Sequence, residues 1–305
     1  MKKFIISVVV IIIIVIGAYF AIKSFSGNGN SYNSQTNTNT NTNQPSGYAT
    51  ATTSAQNNSP VTIIGKSTEG RDIKAYNYGT GSTELLFVGG IHGGYEWNTV
   101  LVAYQLMDYL QANPSAIPAN IKVTVIPVLN PDGLNKVVGT ADRFTPSDVP
   151  TSVSSTVVGR FNSNNVDLNR NFDCDWQSTG VWRNKTVSGG TSAFSEPESQ
   201  AMENYIGANK PSAVVVWYSA AGGVYSSSCH NGVSSETNTL TKTFATASGY
   251  PAHESFDFYA TTGDMVNWLA KSNIPAISVM LTNHTDTEWT KNQAGVLALL
   301  NYFTK

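Results

Sequence analysis

Short apolar runs that alternate with amphipathic helical patterns constrain the fold of this chain more than any other feature. The runs have the length and the β-branched content of buried strands, and they are Leu85–Val88, Ile121–Val128, Ala213–Trp217 and Ala276–Leu281. Two further extended segments flank turn-rich sequence and predict an opening hairpin, Val61–Ile64 with Asp72–Tyr78. This order predicts a three-layer α/β/α domain around a mixed, mainly parallel sheet, with ligands beyond the carboxyl ends of the strands.

Helices are predicted between and after these strands. Apolar residues recur at helical spacing in Thr99–Ala112, Lys242–Ser248, Met265–Lys271 and Lys291–Tyr302. Ser195 and Glu198 have the spacing of a capping box, which predicts another helix that ends near Ala208.

The N-terminal region contains a candidate membrane anchor. Phe4–Ile22 is an apolar stretch without a charge, long enough for a bilayer core of about 30 Å. It exceeds the ~7 to 15 apolar residues of a signal peptide, so an uncleaved transmembrane helix is favoured over a cleaved leader. Lys2 and Lys3 precede the span and Lys23 alone follows it, which favours a cytoplasmic N-terminus and an extracytoplasmic globular domain.

A polar linker separates this anchor from the globular part. Ser24–Pro60 contains no charged residue, and Thr36–Asn43 consists of Thr-Asn repeats, so the segment lacks the apolar residues needed to fold. The predicted organisation is an anchor at residues 1–23, a disordered linker at 24–60 and one domain at 61–305. The net charge is −2 and no dense basic cluster occurs, so a nucleic-acid partner has no electrostatic support.

The chain has two cysteines, Cys174 and Cys229, both in the globular part. In an oxidising compartment we expect a disulfide between them, and two buried free thiols are the alternative.

His92 and Glu96 lie just after the apolar run Leu85–Val88. A histidine and a carboxylate at the mouth of a buried strand suggest ligands of a zinc ion. Zinc in a hydrolase normally has three protein ligands, so this pair requires a third.

Four motifs follow one another in an order that resembles the zinc metallocarboxypeptidases related to carboxypeptidase A. They are His92–Glu96, Asn130–Gly133, Val166–Phe172 and Tyr259–Asp264. The resemblance extends from Val61 to the C-terminus and implies the carboxypeptidase A fold, one zinc ion and peptide C-termini as substrates. The family motif has two residues between histidine and glutamate, whereas three lie between His92 and Glu96, where Gly93 and Gly94 make an extra residue easy to accommodate.

The resemblance also implies roles for residues that contact a substrate. Asn169 and Arg170 match the pair that grips the terminal carboxylate, and an arginine presents two parallel donors to such a group. Tyr259 matches the tyrosine that caps the bound end of the substrate. Arg160 is the candidate for the arginine that stabilises the oxyanion, with Arg143 as the alternative.

Two positions depart from the family pattern. Tyr218 stands where the third zinc ligand, a histidine, is expected, and Met280 stands where the glutamate that acts as general base is expected. A tyrosine has a pKa near 10 and must lose its proton to bind a metal, and a thioether cannot accept a proton near pH 7. His230, His284 and Glu288 are possible replacements, although each is more simply a polar loop residue.

A serine, histidine and aspartate triad is a remote alternative. Ser219, His230 and Asp264 fall in regions that form the site, but no Gly-x-Ser-x-Gly nucleophile elbow occurs.

These observations lead to three hypotheses for function. The first is a membrane-tethered member of the carboxypeptidase family, impaired in catalysis, that binds free peptide C-termini. The second is an active zinc metallocarboxypeptidase that acts on peptides or cell-wall stem peptides, and the third is a structural scaffold. The side-chain preference stays open, because Val266 favours an apolar or neutral residue and Asp264 a basic one.

Overall fold

The computed structural model describes residues 61–304, which contain an eight-stranded sheet and a separate two-stranded sheet. The strands are β1 (Val61–Lys66), β2 (Asp72–Tyr78), β3 (Thr83–Val88), β4 (Ile121–Ile126), β5 (Thr179–Trp182), β6 (Lys185–Ser188), β7 (Ala213–Ser219), β8 (Gly223–Ser226), β9 (Ala252–His253) and β10 (Ala276–Leu281). The predicted anchor at residues 4–22 and the predicted linker at 24–60 lie outside the described residues. Within the described part, every helix is too short or too polar to span a bilayer.

Seven α-helices and several 3₁₀ turns connect the described strands. The helices are α1 (Trp97–Ala112), α2 (Pro131–Val138), α3 (Val153–Val157), α4 (Pro197–Asn209), α5 (Ser235–Ser248), α6 (Met265–Lys271) and α7 (Trp289–Tyr302). The 3₁₀ turns are Gly93–Glu96, Pro114–Ala116, Pro146–Asp148, Val158–Arg160 and Leu168–Arg170.

The large sheet is mixed and has a parallel centre. Its strand order is β1-β2-β4-β3-β7-β10-β8-β9. The four central strands β4, β3, β7 and β10 run parallel. The strands β1 and β2 pair antiparallel with their neighbours, and β8 pairs antiparallel with β10 and parallel with β9. The carboxyl ends of the central strands therefore meet at one edge of the sheet, where the sequence predicts ligands.

Alternate residues of the central strands point to opposite faces of the sheet, and each face is covered by helices. Leu85 and Phe87 of β3 belong to a buried core that includes residues of α1, α5 and α7. Leu86 and Val88 belong to the other core, which includes residues of α4 and α6 and also Phe172. This arrangement confirms the three-layer α/β/α prediction with a mixed, mostly parallel sheet.

The predicted strands and helices are all present, although several begin earlier than predicted. The opening strand continues to Lys66, and the helix predicted from Lys242 begins at Ser235. The β5-β6 hairpin and the strands β8 and β9 were not predicted, because they are short and have little apolar periodicity.

The predicted capping box before α4 is wrong. The N-cap residue is Glu196, and Pro197 occupies the first turn. The Ser195 hydroxyl donates to Glu196 Oε1 at 2.9 Å, and the Glu198 carboxylate accepts from the backbone N–H of Thr68 instead of bonding back to the helix start. Tertiary partners therefore compete successfully for both side chains that the capping box requires.

The motif Asn130–Gly133 begins the helix α2, with Asn130 as its N-cap residue. The Asn130 side chain accepts a hydrogen bond from the Gly133 N–H at 2.8 Å, and Pro131 occupies the first turn, where its missing N–H costs nothing.

Candidate active site

A cavity of about 690 Å³ lies at the carboxyl ends of β3, β7 and β10. The structure brings together there all the site residues that the sequence and the resemblance indicate, namely His92, Glu96, Arg160, Asn169, Arg170, Tyr218, Tyr259 and Met280.

His92 and Glu96 face each other in this cavity and are almost completely buried. His92 follows β3, and the 3₁₀ turn Gly93–Glu96 carries the carboxylate back to a distance of 3.0 Å between His92 Nδ1 and Glu96 Oε1. His92 Nδ1 and Glu96 Oε2 have no hydrogen-bond partner. Two buried, unpaired ligand atoms on residues that face one another have the arrangement of a partial metal site.

The turn between these residues requires glycine at Gly93. Its φ is +44°, and a Cβ there would lie 2.7 Å from the carbonyl oxygen of Gly159. The longer spacing from His92 to Glu96 therefore depends on a residue without a side chain.

Asp167, which the sequence analysis did not single out, connects His92 to Arg160. Its Oδ1 lies 3.2 Å from His92 Nε2, and its Oδ2 accepts from Arg160 Nε at 2.9 Å. Burial raises the pKa of Asp167, but the neighbouring Arg160 and His92 lower it by a larger amount, so the net pKa is well below the usual value. Because an ionised carboxylate only accepts, His92 Nε2 donates its proton to Asp167, which leaves Nδ1 as the ring nitrogen that faces Glu96. The sequence signal that could have identified Asp167 is its position as the acidic residue within the Val166–Phe172 motif.

The two candidate arginines lie in different places. Arg160 is buried in the cavity, with its guanidinium carbon 4.5 Å from the centre of the Trp182 ring and its Nη1 3.8 Å from Glu96 Oε1. Arg143 pairs with Asp108 at the surface and is absent from the cavity lining. The position of Arg160 suits an oxyanion role, which stays a prediction.

Asn169 and Arg170 are held by the 3₁₀ turn Leu168–Arg170, which Asp167 caps by accepting from the Asn169 N–H at 3.1 Å. Arg170 donates from Nη1 to the carbonyl of Asn169 at 2.6 Å and from Nη2 to that of Val181 at 2.7 Å. Its Nε is buried without a partner. The guanidinium carbon of Arg170 lies 5.7 Å from the centre of the Tyr259 ring, so Tyr259 lies beside Arg170, as the resemblance implies.

Tyr218 and Met280 are neighbours on the adjacent parallel strands β7 and β10. The Tyr218 hydroxyl donates to Asn169 Oδ1 at 3.1 Å. Burial, together with the carboxylates of Asp264 and Glu96, raises the pKa of Tyr218 well above 10. The phenol is therefore protonated near neutral pH, and Met280 offers only a thioether where a base is expected.

A family model described as zinc carboxypeptidase matches residues 48–295. The chain belongs to the zinc carboxypeptidase family. The curated relatives of this zinc carboxypeptidase domain include bacteriocin BCN5 of Clostridium perfringens, 30% identical over 155 residues, and carboxypeptidase Z of Gallus gallus, 31% identical over 122 residues. The matches cover 49% and 36% of this chain but only 15% and 18% of those relatives.

Solved structures share the fold of the zinc carboxypeptidase domain. The murein-tripeptide amidase MpaA of Escherichia coli O157 has a TM-score of 0.57 at 22% identity, over 79% of this chain and 91% of that chain. Bovine thrombin-activatable fibrinolysis inhibitor, in complex with tick carboxypeptidase inhibitor, has a TM-score of 0.64 at 15% identity, over 81% and 90%. At these identities the likeness establishes the fold alone.

Family membership implies a zinc ion, and the residues present fit it incompletely. His92 Nδ1 and Glu96 Oε2 suit two ligand positions, but the protonated Tyr218 is committed to Asn169. Among residues 61–304, the one cluster of three or more His, Cys, Asp or Glu ligands is Cys174, Asp175 and Cys229. Its cysteines form the expected disulfide, so it provides no thiolate. The three-ligand set of a zinc hydrolase is not assembled.

His284 approaches the site but is not a free ligand. Its Nδ1 lies 2.9 Å from the Ser219 hydroxyl, and its Nε2 lies 3.1 Å from the Tyr95 hydroxyl. Asn98 fixes this chain of hydrogen bonds, because its Nδ2 donates to two backbone carbonyls and its Oδ1 must accept from Ser219. His284 Nδ1 therefore donates to Ser219, and Nε2 accepts from Tyr95.

The other suggested replacements lie elsewhere. His230 pairs with Asp175 in an exposed contact of 3.0 Å. Glu288 accepts from the backbone N–H of Thr282 and pairs with Lys291. The remote alternative of a triad of Ser219, His230 and Asp264 is wrong, because the histidine beside Ser219 is His284 and His230 pairs with Asp175.

Proposed function

We propose that this domain binds the free C-termini of peptides and is impaired as a peptidase. The observation that carries the proposal is the hydrogen bond from Tyr218 to Asn169 Oδ1. Tyr218 stands at the position of the third zinc ligand, and through this hydrogen bond it supports Asn169, the residue to which the resemblance assigns the terminal carboxylate.

The unpaired donors near Asn169 and Arg170 support binding of an anion. Asn169 Oδ1 already accepts from Tyr218 and from the Met265 N–H at 3.1 Å, so its Nδ2 is left for a ligand. Arg170 Nε is a buried donor without a partner. A hydrogen bond to a charged group contributes ~1.5–3 kcal/mol, or roughly 10- to 150-fold in affinity.

Impaired hydrolysis follows from the residues at the two altered positions. General acid-base catalysis contributes ~100- to 10,000-fold, and Met280 provides no proton acceptor for it. Tyr218 keeps its proton and provides no third zinc ligand. We expect the chain to retain binding of substrate ends and to lose most of the rate.

An active zinc carboxypeptidase is the second candidate. It is favoured by His92 Nδ1 and Glu96 Oε2, because leaving a buried polar group unpaired costs ~1–3 kcal/mol and a bound cation would remove that cost. Zinc would then supply a Lewis acid beside Arg160. Stoichiometric zinc with hydrolysis at ordinary enzyme rates would decide for this candidate.

We further propose that the natural ligands lie outside the cytoplasm. The apolar segment at residues 4–22 would anchor the chain in the membrane, and residues 24–60 would form a tether. Similarity to a murein-tripeptide amidase and to carboxypeptidases makes cell-wall stem peptides and ordinary peptides the ligand classes to test. Protease treatment of intact cells, followed by detection of residues 61–305, tests this placement.

Calorimetry with matched peptides tests the binding proposal. The full chain in detergent is titrated with a short peptide as the free acid and with the same peptide as the C-terminal amide. We expect the free acid to bind at least ~10-fold more tightly, because only the acid is charged. Arg170→Ala should remove this preference, whereas Arg143→Ala, at the surface, should keep it.

Equal binding of acid and amide would contradict the proposal, and absence of binding by either peptide would favour the scaffold hypothesis. The same peptides, incubated with the chain in zinc-containing buffer, show whether the C-terminal residue is released.

A further inference from the structure

We propose that Tyr218 is a positioning residue, which fixes the side-chain amide of Asn169 so that Nδ2 is presented to a ligand carboxylate. The inference rests on the proposed function and deepens it. It assigns a role in recognition to the residue at the position where the family has a metal ligand.

The first step concerns the two ends of the Asn169 amide. An amide oxygen has two acceptor sites, and Asn169 Oδ1 uses both, one for the Tyr218 hydroxyl and one for the Met265 N–H, each at 3.1 Å. A flipped amide would direct its N–H groups at these two donors. The two contacts therefore fix which end of the amide faces away from Tyr218.

The second step concerns the end that is left over. Within residues 61–304, no protein group accepts a hydrogen bond from Asn169 Nδ2, and Asn169 lines the cavity beside Arg170. An N–H donor next to a guanidinium suits a carboxylate and not a cation. Rotation of the amide would replace this donor by the amide oxygen and repel the ligand.

The third step concerns why a tyrosine is needed. Tyr218 is 4% exposed and belongs to the same core as Met265, so its ring is fixed by packing. The hydroxyl of Tyr218, on β7, bonds to Asn169 in the turn Leu168–Arg170. The two residues are 49 positions apart in the chain. A phenylalanine would keep the packing and remove only the hydrogen bond to Asn169.

A double-mutant cycle on the full chain in detergent tests the inference. The affinity for the free-acid peptide is measured for Tyr218→Phe, for Asn169→Ala and for both together. Loss of one neutral hydrogen bond should weaken binding roughly 2- to 12-fold in Tyr218→Phe, and the effect should vanish in the Asn169→Ala background. The matched peptide amide should bind equally well to all four proteins.

An equal loss in both backgrounds would show that Tyr218 acts on general structure, and no loss in the parent background would also overturn the inference. Both results leave the binding proposal intact, since that proposal depends on the difference between acid and amide.

A measurement without ligand separates failure of the inference from failure of the proposed function. In the full chain labelled with ¹⁵N-asparagine, the side-chain signals of Asn169 are assigned by their loss in Asn169→Ala. We expect them to shift or to double in Tyr218→Phe as the amide is released. Unchanged signals overturn the inference even if no peptide binds.

Discussion

The two sides of the central cavity leave opposite kinds of polar group unpaired. On the carboxylate side, formed by Asn169, Arg170 and Tyr218, the free groups are donors, Asn169 Nδ2 and Arg170 Nε. On the metal side, formed by His92, Glu96 and Asp167, the unpaired atoms are those that can act as acceptors toward a cation, His92 Nδ1 and Glu96 Oε2. Donors suit an anion and acceptors suit a cation.

The difference teaches which half of a carboxypeptidase site is complete in this chain. The carboxylate side is fixed by hydrogen bonds within the protein, and the proposed function assigns an anion to it as it stands. The metal side has two ligands and a supporting carboxylate but lacks the third ligand and the base. On the proposed function, substrate binding and bond cleavage would be separable properties of this fold.

Replacing Tyr218 and Met280 by the residues of the family pattern should complete the metal side of the cavity and give the largest expected effect on activity. Tyr218→His combined with Met280→Glu should bind one zinc ion and release C-terminal residues at least ~100-fold faster than the parent chain, because a ligand and a general base return together. Metal analysis and a peptide-release assay measure both properties. Each single variant should gain much less than the pair, and a double variant without zinc would show that the metal side is not preserved.

Removing the shared carboxylate of the metal side should affect folding. Asp167→Ala removes the closest carboxylate partner of the buried Arg160, leaves only Glu96 at 3.8 Å, and should cost about 3–5 kcal/mol of unfolding free energy. Chemical denaturation measures the loss. Asp173→Ala is the matched control, because its pair with Lys271 is half exposed and should contribute below ~1 kcal/mol. Similar losses in both variants would contradict the structural role of Asp167.

The disulfide should matter more to the carboxylate side than to the metal side. Cys174 follows Arg170 along the chain, Cys229 follows the cavity residue Ser228, and the bridge joins cysteines 55 residues apart. Replacing both cysteines by serine should cost about 2–4 kcal/mol. It should also weaken binding of the free-acid peptide, whereas Met107→Leu, a conservative change in the opposite core, should leave this binding unchanged. Unaltered stability would show that the bridge adds no constraint.

Acidification should give the smallest effect, through His284. Burial lowers the pKa of His284, Arg183, His92 and Arg160 lower it as well, and Glu96 alone among these neighbours raises it. His284 therefore binds a proton near pH 6.5 in the unfolded chain, whereas in the folded chain it binds this proton only at a lower pH. Stability contributed by neutral His284 is present above this pH and is lost as the pH falls toward the folded pKa. Thermal unfolding between pH 7.5 and 5.5 should show a smaller decrease in His284→Gln, and identical slopes would refute the assignment.

The fold was largely predictable because its signals are local. Runs such as Leu85–Val88 and Ala276–Leu281 have a length and a composition that are typical of buried strands, and both lie in strands. The errors occurred where distant partners compete with local ones. Ser195 failed to cap α4 because its hydroxyl donates to Glu196, and the Glu198 carboxylate accepts from Thr68, 130 residues away.

The sequence predicted which residues line the cavity but not the hydrogen bonds between them. The order of the motifs predicts that His92, Asn169 and Arg170 belong to one site, and all three line the same cavity in the structure. Asp167 was missed because its importance comes from His92, 75 residues earlier in the chain. Arg160 and Arg143 could not be separated by sequence, since each lies near the motifs and only one reaches the cavity.

The sequence by itself determined the alternation of strands and helices, the family motifs and the presence of tyrosine and methionine at Tyr218 and Met280. Only the tertiary structure decided what Tyr218 does, because its hydroxyl partner Asn169 comes from another part of the chain. A side chain's hydrogen bonds depend on distances of about 3 Å between groups that folding brings together, and sequence order does not contain those distances.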